Sequence, residues 1–144
     1  MPPCICGDEP WSSRAKFCAD CKKARLAYST TKGNLASGFN RVGEPPRLEF
    51  DIDEFCIWRK NTDLVCHYCG ITEEQIPRVG MMSQIQRPVQ NMGIDRLAND
   101  GNYTLENIAP CCFVCNQIKG NRFSEEEMLQ IGPSIRVVWD QRLA

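Results

Sequence analysis

Cysteine is the residue type that most constrains the fold of this chain, because ten cysteines occur in only 144 residues. Eight of them fall into two groups of four, which are Cys4, Cys6, Cys18 and Cys21, and Cys66, Cys69, Cys112 and Cys115. Zinc prefers four thiolates at the corners of a tetrahedron, and a Cys-x-x-Cys turn supplies two of them from one knuckle. The pattern therefore predicts two structural zinc ions per chain.

The two groups differ in the regularity of their spacing. Both pairs of the second group have two intervening residues, whereas Cys4-x-Cys6 is one residue shorter than a usual knuckle. Four cysteines so close together still favour zinc over unligated reduced thiols, because such a short segment cannot bury a core of its own.

Two cysteines remain outside these groups. Cys56 lies in a predicted helix and is expected to be a small buried hydrophobic residue. Cys111 adjoins Cys112 and is an alternative zinc ligand, but only Cys112 gives the two-residue spacing to Cys115. Cys112 is therefore the preferred ligand.

The compartment follows from the same cysteines and from hydropathy. No apolar run approaches the length that spans a membrane, and the N-terminus carries no apolar signal-peptide segment. We therefore expect an intracellular, cytoplasmic protein without a membrane partner, in which reduced thiols bind metal rather than form disulfides.

Charge is distributed unevenly, although the whole chain has a formal net charge of −1. Residues 1–49 carry eight Lys/Arg and five Asp/Glu, whereas residues 50–144 carry nine and thirteen. Basic residues cluster between positions 14 and 41, where Asp20 is the one acidic residue, and they are Arg14, Lys16, Lys22, Lys23, Arg25, Lys32 and Arg41. Such a segment fits contact with a nucleic-acid backbone, the alternative being an ordinary solvated surface.

Two modules are predicted, an N-terminal zinc knuckle with the basic segment over residues 1–49 and a core over residues 50–144. In the first, Lys22–Thr30 is a candidate helix and Thr31–Pro46, with its glycines and prolines, is expected to be a loop.

Further along, Asp51–Asn61 is predicted to be a helix that begins with a capping box. Gly70–Gly93 is expected to be an irregular insertion placed where it can reach DNA. A second capping box at Ser124 predicts a helix to about Gln130, which Gly132-Pro133 should end, and Ile135–Leu143 predicts a separate short helix.

The most specific pattern lies between residues 94 and 122. Asp95 ends a predicted strand, a glycine-containing loop follows, and Asn107 opens a second strand. Cys112-x-x-Cys115 then begins a helix, and Asn116 follows directly. Together with the upstream Cys-x-x-Cys pair, this order resembles the HNH endonucleases, whose fold is called ββα-metal.

The resemblance implies an α+β fold, with a small zinc-stabilised ββα-metal core, an N-terminal zinc knuckle and flanking helices. It implies that Asp95 and Asn116 hold one catalytic Mg²⁺ and that Asn107 pins the loop and orients the general base. Lys119, at the end of the predicted helix, joins the candidate DNA-binding residues.

One residue departs from the family pattern, because Arg96 stands where a histidine usually acts as the base. Arginine keeps its proton at neutral pH, so Arg96 can clamp a phosphate or pair with a carboxylate but cannot be that base. The candidates are Tyr103, in the loop before Asn107, then His67 in the knuckle, then Tyr68, and finally a metal-ionised water. Tyr103 is preferred, although an unperturbed tyrosine is only about a thousandth ionised at pH 7.

The function implied is that of a site-specific endonuclease for double-stranded DNA, of the type II restriction kind, acting as a homodimer with one Mg²⁺ per active site. The alternatives are a homing or phage nicking enzyme of the same family and a catalytically inactive zinc module that binds DNA.

Overall fold

The computed structural model describes residues 4–7, 17–37 and 46–144. The chain divides into two compact units. Met1–Asp63 and Asn102–Glu106 form the first unit, and Leu64–Gly101 and Asn107–Ala144 form the second. The division predicted from the sequence, into a zinc knuckle with a basic segment over residues 1–49 and a core over residues 50–144, stays a prediction.

Helix α1 spans Ala19–Ser37 and is longer than predicted from the sequence. The loop expected after Thr30 was wrong in its first part, because the helix continues through Gly33. The hydroxyl of Thr30 donates to the Leu26 carbonyl and that of Thr31 to the Ala27 carbonyl, so both hydroxyls are satisfied within the helix. Residues 38–45, the rest of that loop, lie outside the described residues.

Helix α2 spans Ile52–Lys60, and its predicted start is confirmed. Asp51 accepts a hydrogen bond from the Glu54 backbone N–H, and the Glu54 carboxylate accepts one from the Asp51 N–H. Rings of four residues from α1, α2 and the segment before α2 pack together to form the centre of the first unit, and they are Tyr28, Phe50, Phe55 and Trp58.

The second unit contains the two strands of the predicted core. Strand β1, Gly93–Arg96, pairs antiparallel with strand β2, Ile108–Cys111, and Asp95 lies opposite Ala109. Helix α3, Phe113–Lys119, begins directly after β2. The strand, strand and helix therefore follow the order that the sequence predicted.

The region between the cysteine knuckle and β1 is more regular than expected. Glu73–Val79 forms a 3₁₀ helix, which begins at a capping box between Thr72 and Gln75. A hairpin follows, in which Met82 bridges Pro88. The prediction of a wholly irregular insertion was therefore wrong.

Helix α4 spans Glu125–Leu143 without interruption, so the predicted break at Gly132-Pro133 was also wrong. Its start at Ser124 is confirmed by a capping box with Glu127. A side chain at Gly132 would place its Cβ 2.0 Å from the Tyr68 carbonyl oxygen, so glycine lets the helix approach that backbone. Proline has no backbone N–H and therefore removes one hydrogen bond from the helix. The burial of Met128 before Pro133 and of Trp139 after it outweighs that loss.

The core of the second unit surrounds the second cysteine group. Its other buried apolar side chains are Ile71, Ile76, Val79, Met81, Met92, Met128 and Trp139. Within the described part of the chain, no helix combines the length and the apolar character needed to cross a membrane.

Candidate active site and metal centres

The second cysteine group joins segments that are distant in sequence. The sulfur atoms of Cys66, Cys69, Cys112 and Cys115 lie within 4.8 Å of one another, and those of Cys69 and Cys112 are 3.8 Å apart. Tetrahedral zinc with Zn–S bonds of about 2.3 Å separates its sulfurs by about 3.8 Å. These four residues therefore fit zinc.

Local structure explains why these sulfurs converge. Gly70 adopts a φ of 75°, which closes the turn after Cys69, and its N–H donates to the Cys66 carbonyl. Cys112 caps α3, since its sulfur accepts a hydrogen bond from the Cys115 N–H. The group thus clamps the start of α3 to the knuckle.

Cys111 is buried beside this group without being one of its four members. Hydrogen bonds from Cys111 first, and then from Cys112 and Cys115, hold the pKa of the Cys66 thiol far below its usual range. The structure therefore brings Cys112 into the group, as the spacing favoured, whereas the Cys111 thiol donates to the Cys112 carbonyl at 3.4 Å.

The first cysteine group also converges, despite its short first pair. The sulfurs of Cys4, Cys6, Cys18 and Cys21 lie within 4.8 Å of one another. Gly7 adopts a φ of 91° and its N–H donates to the Cys4 carbonyl, which completes a turn around the short spacing. Burial opposes ionisation of Cys4, yet backbone hydrogen bonds at Cys6 and Cys18 lower its pKa to about 7.

The Asp95 carboxylate is the buried acid of the second unit, with only 4% of the residue exposed. Its Oδ2 accepts a hydrogen bond of 2.5 Å from the Tyr68 hydroxyl and lies 3.2 Å from the Lys119 Nζ. A buried carboxylate needs such partners to remain charged.

Lys119 is fully buried, which contradicts its predicted contact with DNA. Its ammonium group donates to the backbone carbonyls of Arg96 and Leu97 and to Asn99 Oδ1, besides the Asp95 carboxylate. A sequence signal was available, because Cys112, Cys115, Asn116 and Lys119 are spaced as one helical face. Lys119 is therefore a structural cation beneath the site.

Tyr68 contacts the site through its hydroxyl, which donates to Asp95. Burial raises the pKa of Tyr68, and the hydrogen bond to Asp95 raises it further. In this arrangement the phenol keeps its proton and holds the Asp95 carboxylate in place. The sequence did not predict the contact between Tyr68 and Asp95, because a knuckle position does not reveal which way the ring points.

The two asparagines fix the backbone around Asp95. Asn116 donates through Nδ2 to the Ile94 carbonyl at 3.1 Å, so its amide oxygen is the atom left to bind a ligand. Asn107 Oδ1 accepts from the Ala98 N–H at 3.0 Å and so pins the loop after β1, as expected. Carboxylate and amide oxygens are donors that Mg²⁺ accepts, so Asp95 and Asn116 fit that ion.

Arg96 follows Asp95 and points along the pinned loop. Its guanidinium group donates to the Gly101 carbonyl at 2.7 Å and to Asn121 Oδ1 at 3.4 Å. A Cβ on Gly101 would come within 2.8 Å of Asn107 Nδ2, so glycine permits this close loop. These contacts hold a permanent positive charge over the loop that follows β1.

The remaining candidate bases lie in different surroundings. His67 Nε2 is 2.8 Å from Glu125 Oε2, and the His67 backbone N–H donates to the Pro110 carbonyl. Tyr103 belongs to the first unit, where it forms a parallel bridge with Leu48. The structure therefore engages His67 with a carboxylate and places Tyr103 outside the second unit.

The basic residues predicted to contact DNA are only partly described. Lys22, Lys23 and Lys32 are exposed on α1, whereas Arg25 is half-buried and pairs with Asp53 at 3.5 Å. Arg14, Lys16 and Arg41 lie outside the described residues.

The strands β1 and β2 form an antiparallel pair, and the helix that follows them begins at a cysteine pair and carries Asn116 beside β1. This arrangement defines the ββα-metal fold of the HNH nucleases. The solved structure of the rare-cutting HNH restriction endonuclease PacI is similar, with a TM-score of 0.70 and 25% sequence identity over 99% of this chain and 98% of that one. No family model and no curated protein matches the sequence. The likeness to PacI supports a nuclease of that kind.

Proposed function

We propose that the chain is a type II restriction endonuclease that hydrolyses double-stranded DNA at a specific site. The observation that carries this proposal is the buried Asp95 carboxylate, held by Tyr68 and Lys119 beside the helix that carries Asn116. A buried charge is expensive, and the surroundings that hold it are typical of functional sites.

Each residue has a distinct role in this proposal. Asp95 and Asn116 would hold the catalytic Mg²⁺, which would supply charge stabilisation for the phosphate and the leaving 3′ oxygen. Arg96 contacts the phosphate and stabilises the charge that develops on it, since its guanidinium group cannot lose its proton. Asn107 keeps the loop that carries Arg96 in one conformation.

The general base stays a proposal, and Tyr103 is our assignment. The Tyr68 hydroxyl donates a hydrogen bond to Asp95, so Tyr68 is assigned the positioning of Asp95. His67 Nε2 is bound to Glu125 Oε2, which leaves Nδ1 to accept a proton, so His67 stays an alternative to Tyr103. The other alternative is a metal-ionised water.

Plasmid cleavage with and without Mg²⁺ tests the proposal. Asp95→Asn keeps the volume of the side chain and an acceptor for Lys119, so it should abolish cleavage and preserve zinc content and DNA binding. Asn116→Ala should do the same. Asp100→Ala, at an exposed position of the same loop, is the matched control and should cleave normally. Wild-type rates in Asp95→Asn would refute the site.

The same assay distinguishes the proposed endonuclease from a second candidate function, which is that of an inactive zinc module that binds DNA. The substitution of Arg96 for the family's histidine and the pairing of Asp95 with Lys119 favour this alternative. Its signature is tight DNA binding with no Mg²⁺-dependent cleavage by the wild-type protein.

The homodimer also belongs to the proposal, because one site cuts one strand and a two-fold target matches a two-fold protein. A dimer should sediment with twice the mass of one chain, and it should convert circular plasmid to linear product. A monomer that leaves nicked circles would instead favour the homing or phage nicking enzyme. An intracellular location is proposed with it, since a reducing compartment keeps the cysteine ligands available to zinc.

A further inference from the structure

A hairpin over residues 82–88, called the 82–88 hairpin from here on, projects from the second unit. Met82 bridges Pro88, and the Ser83 N–H donates to the Arg87 carbonyl at 2.8 Å. Residues 84–86 therefore form a three-residue tip.

The hairpin has a fixed base and an exposed tip. Met81, directly before it, is 1% exposed in the core and accepts a hydrogen bond from the Val89 N–H. Ile85, at the centre of the tip, is 71% exposed, more than any other large apolar side chain among the described residues. Met82, at the start of the hairpin, is 48% exposed as well, and exposed apolar side chains that occur together are suited to contact a partner.

The backbone of the tip favours glycine at a position that carries glutamine. Gln86 has a φ of 59°, and of the non-glycine residues that the structure describes it is the one with positive φ. Glycine would adopt this conformation without strain, so the glutamine side chain occupies this position at a cost in the stability of the fold.

The tip is tied to the helix that carries the candidate active site. Gln84 Nε2 donates to Gln117 Oε1 at 2.6 Å, and Gln117 directly follows Asn116 on α3. The Gln117 carbonyl in turn accepts a hydrogen bond of 2.6 Å from Arg122. Amide, apolar and cationic side chains are thus grouped next to the residue assigned to the catalytic metal.

We propose that the 82–88 hairpin contacts base edges of duplex DNA beside the scissile phosphate and determines part of the sequence preference. Glutamine can pair with adenine through two hydrogen bonds, arginine with guanine, and an apolar side chain can contact the thymine methyl group. Arg122 supplies a phosphate contact that sets the register. This inference rests on the proposed action on DNA.

The test selects sequences from a pool of duplexes that contain a randomised segment. The full zinc-loaded chain is bound to the pool without Mg²⁺ and the bound duplexes are sequenced, and cleavage with Mg²⁺ is profiled in parallel. The variants are Ile85→Ala and Gln84→Ala. Val137→Ala and Gln130→Ala, at exposed positions of α4, are the matched controls.

Each hairpin variant should lose discrimination at one or two base positions by about tenfold to a hundredfold, while both controls keep the wild-type preference. A loss of selectivity of this kind supports the inference even if the wild-type protein does not cleave, a result that would defeat the nuclease proposal alone. Unchanged base preferences in both variants would overturn the inference. So would a wild-type protein that binds all duplexes equally or binds none of them. A variant that changes only the oligomeric state would assign the hairpin to a contact between copies.

Discussion

The two compact units each contain four convergent cysteines, but they use them differently. The first group lies within residues 4–21, so zinc there would organise a local segment. The second group runs from residue 66 to residue 115 and closes a long stretch of chain around the candidate site. Closing a longer loop removes more freedom from the unfolded chain, so the second site should matter more for the fold.

The units also differ in where they place charge. The Arg25–Asp53 pair of the first unit has side chains 34% and 55% exposed. The Lys119–Asp95 pair of the second has side chains 0% and 5% exposed. The Arg25–Asp53 pair therefore lies in contact with solvent, whereas the Lys119–Asp95 pair fixes the geometry of the candidate site.

The largest expected effect separates the two zinc sites. Cys115→Ser should leave one zinc per chain and unfold the second unit, because structural zinc sites contribute about 10–16 kcal/mol of apparent binding energy to folding. Cys18→Ser should also leave one zinc but retain the near-ultraviolet signal of the second unit. Elemental analysis and circular dichroism check both. Equal loss of structure in the two variants would remove the distinction.

The next effect compares the two ion pairs. Lys119→Met should destabilise the protein by about 3–5 kcal/mol, because it leaves the Asp95 charge buried and unpaired. Arg25→Met should cost about 0–1 kcal/mol, as exposed pairs usually do. Urea unfolding of the two variants measures the difference, and similar values would show that Asp95 gains little from Lys119.

Two tyrosine hydroxyls give the third prediction, which concerns rate. Tyr103→Phe should reduce cleavage by about 10²–10⁴-fold, the usual contribution of a general base. Tyr68→Phe should reduce it by about 10–100-fold by loosening Asp95, with a weakened response to Mg²⁺. His67→Ala is the comparison and should cleave nearly normally. Near-wild-type cleavage by Tyr103→Phe with a large loss in His67→Ala would assign the base to His67, and near-wild-type cleavage by both would leave a metal-ionised water as the source of the nucleophile.

The fourth prediction concerns binding without chemistry. Neutralising Lys22, Lys23 and Arg25 should weaken binding to all duplexes and lower the log–log salt slope by roughly one unit for each phosphate that the protein no longer neutralises. Replacing Arg136 and Arg142 of α4 by glutamine is the comparison. An unchanged slope in the first set would assign the α1 basic residues to solvated surface.

The smallest expected effect concerns the extra thiols. Cys56→Ser should be mild, by about 1 kcal/mol, since the serine hydroxyl can replace the thiol as donor to the Cys21 carbonyl. Cys111→Ser should retain both zinc ions, because Cys111 is not one of the four convergent ligands. Loss of a zinc in Cys111→Ser would show that it ligates in place of Cys112.

Local signals carried the correct predictions. The cysteine spacings, the capping boxes at Asp51 and Ser124, and the order from Asp95 to Asn116 each depend on residues near one another in sequence. These features could be predicted because a cap or a knuckle is specified by a few neighbouring residues.

Two of the wrong predictions concern residues whose state depends on distant partners. Pro133 did not end α4, because its neighbour Gly132 packs on the backbone of Tyr68. Lys119 was predicted to contact DNA but is buried, because the oxygens that surround its ammonium come from β1 and the loop after it. Tertiary packing, which no local pattern reports, decided both.

The path of the chain at Gly101 and Asn107 has a practical consequence for dissecting the protein. Residues 102–106 belong to the first unit, where Tyr103 exchanges backbone hydrogen bonds with Arg47 and Glu49. A truncation after residue 63 therefore removes part of the first unit's own hydrogen bonding, and an isolated residue 64–144 fragment carries a stretch without its partners. The first unit is therefore not one continuous segment of the chain, and transferring it to another protein would require residues 102–106 as well.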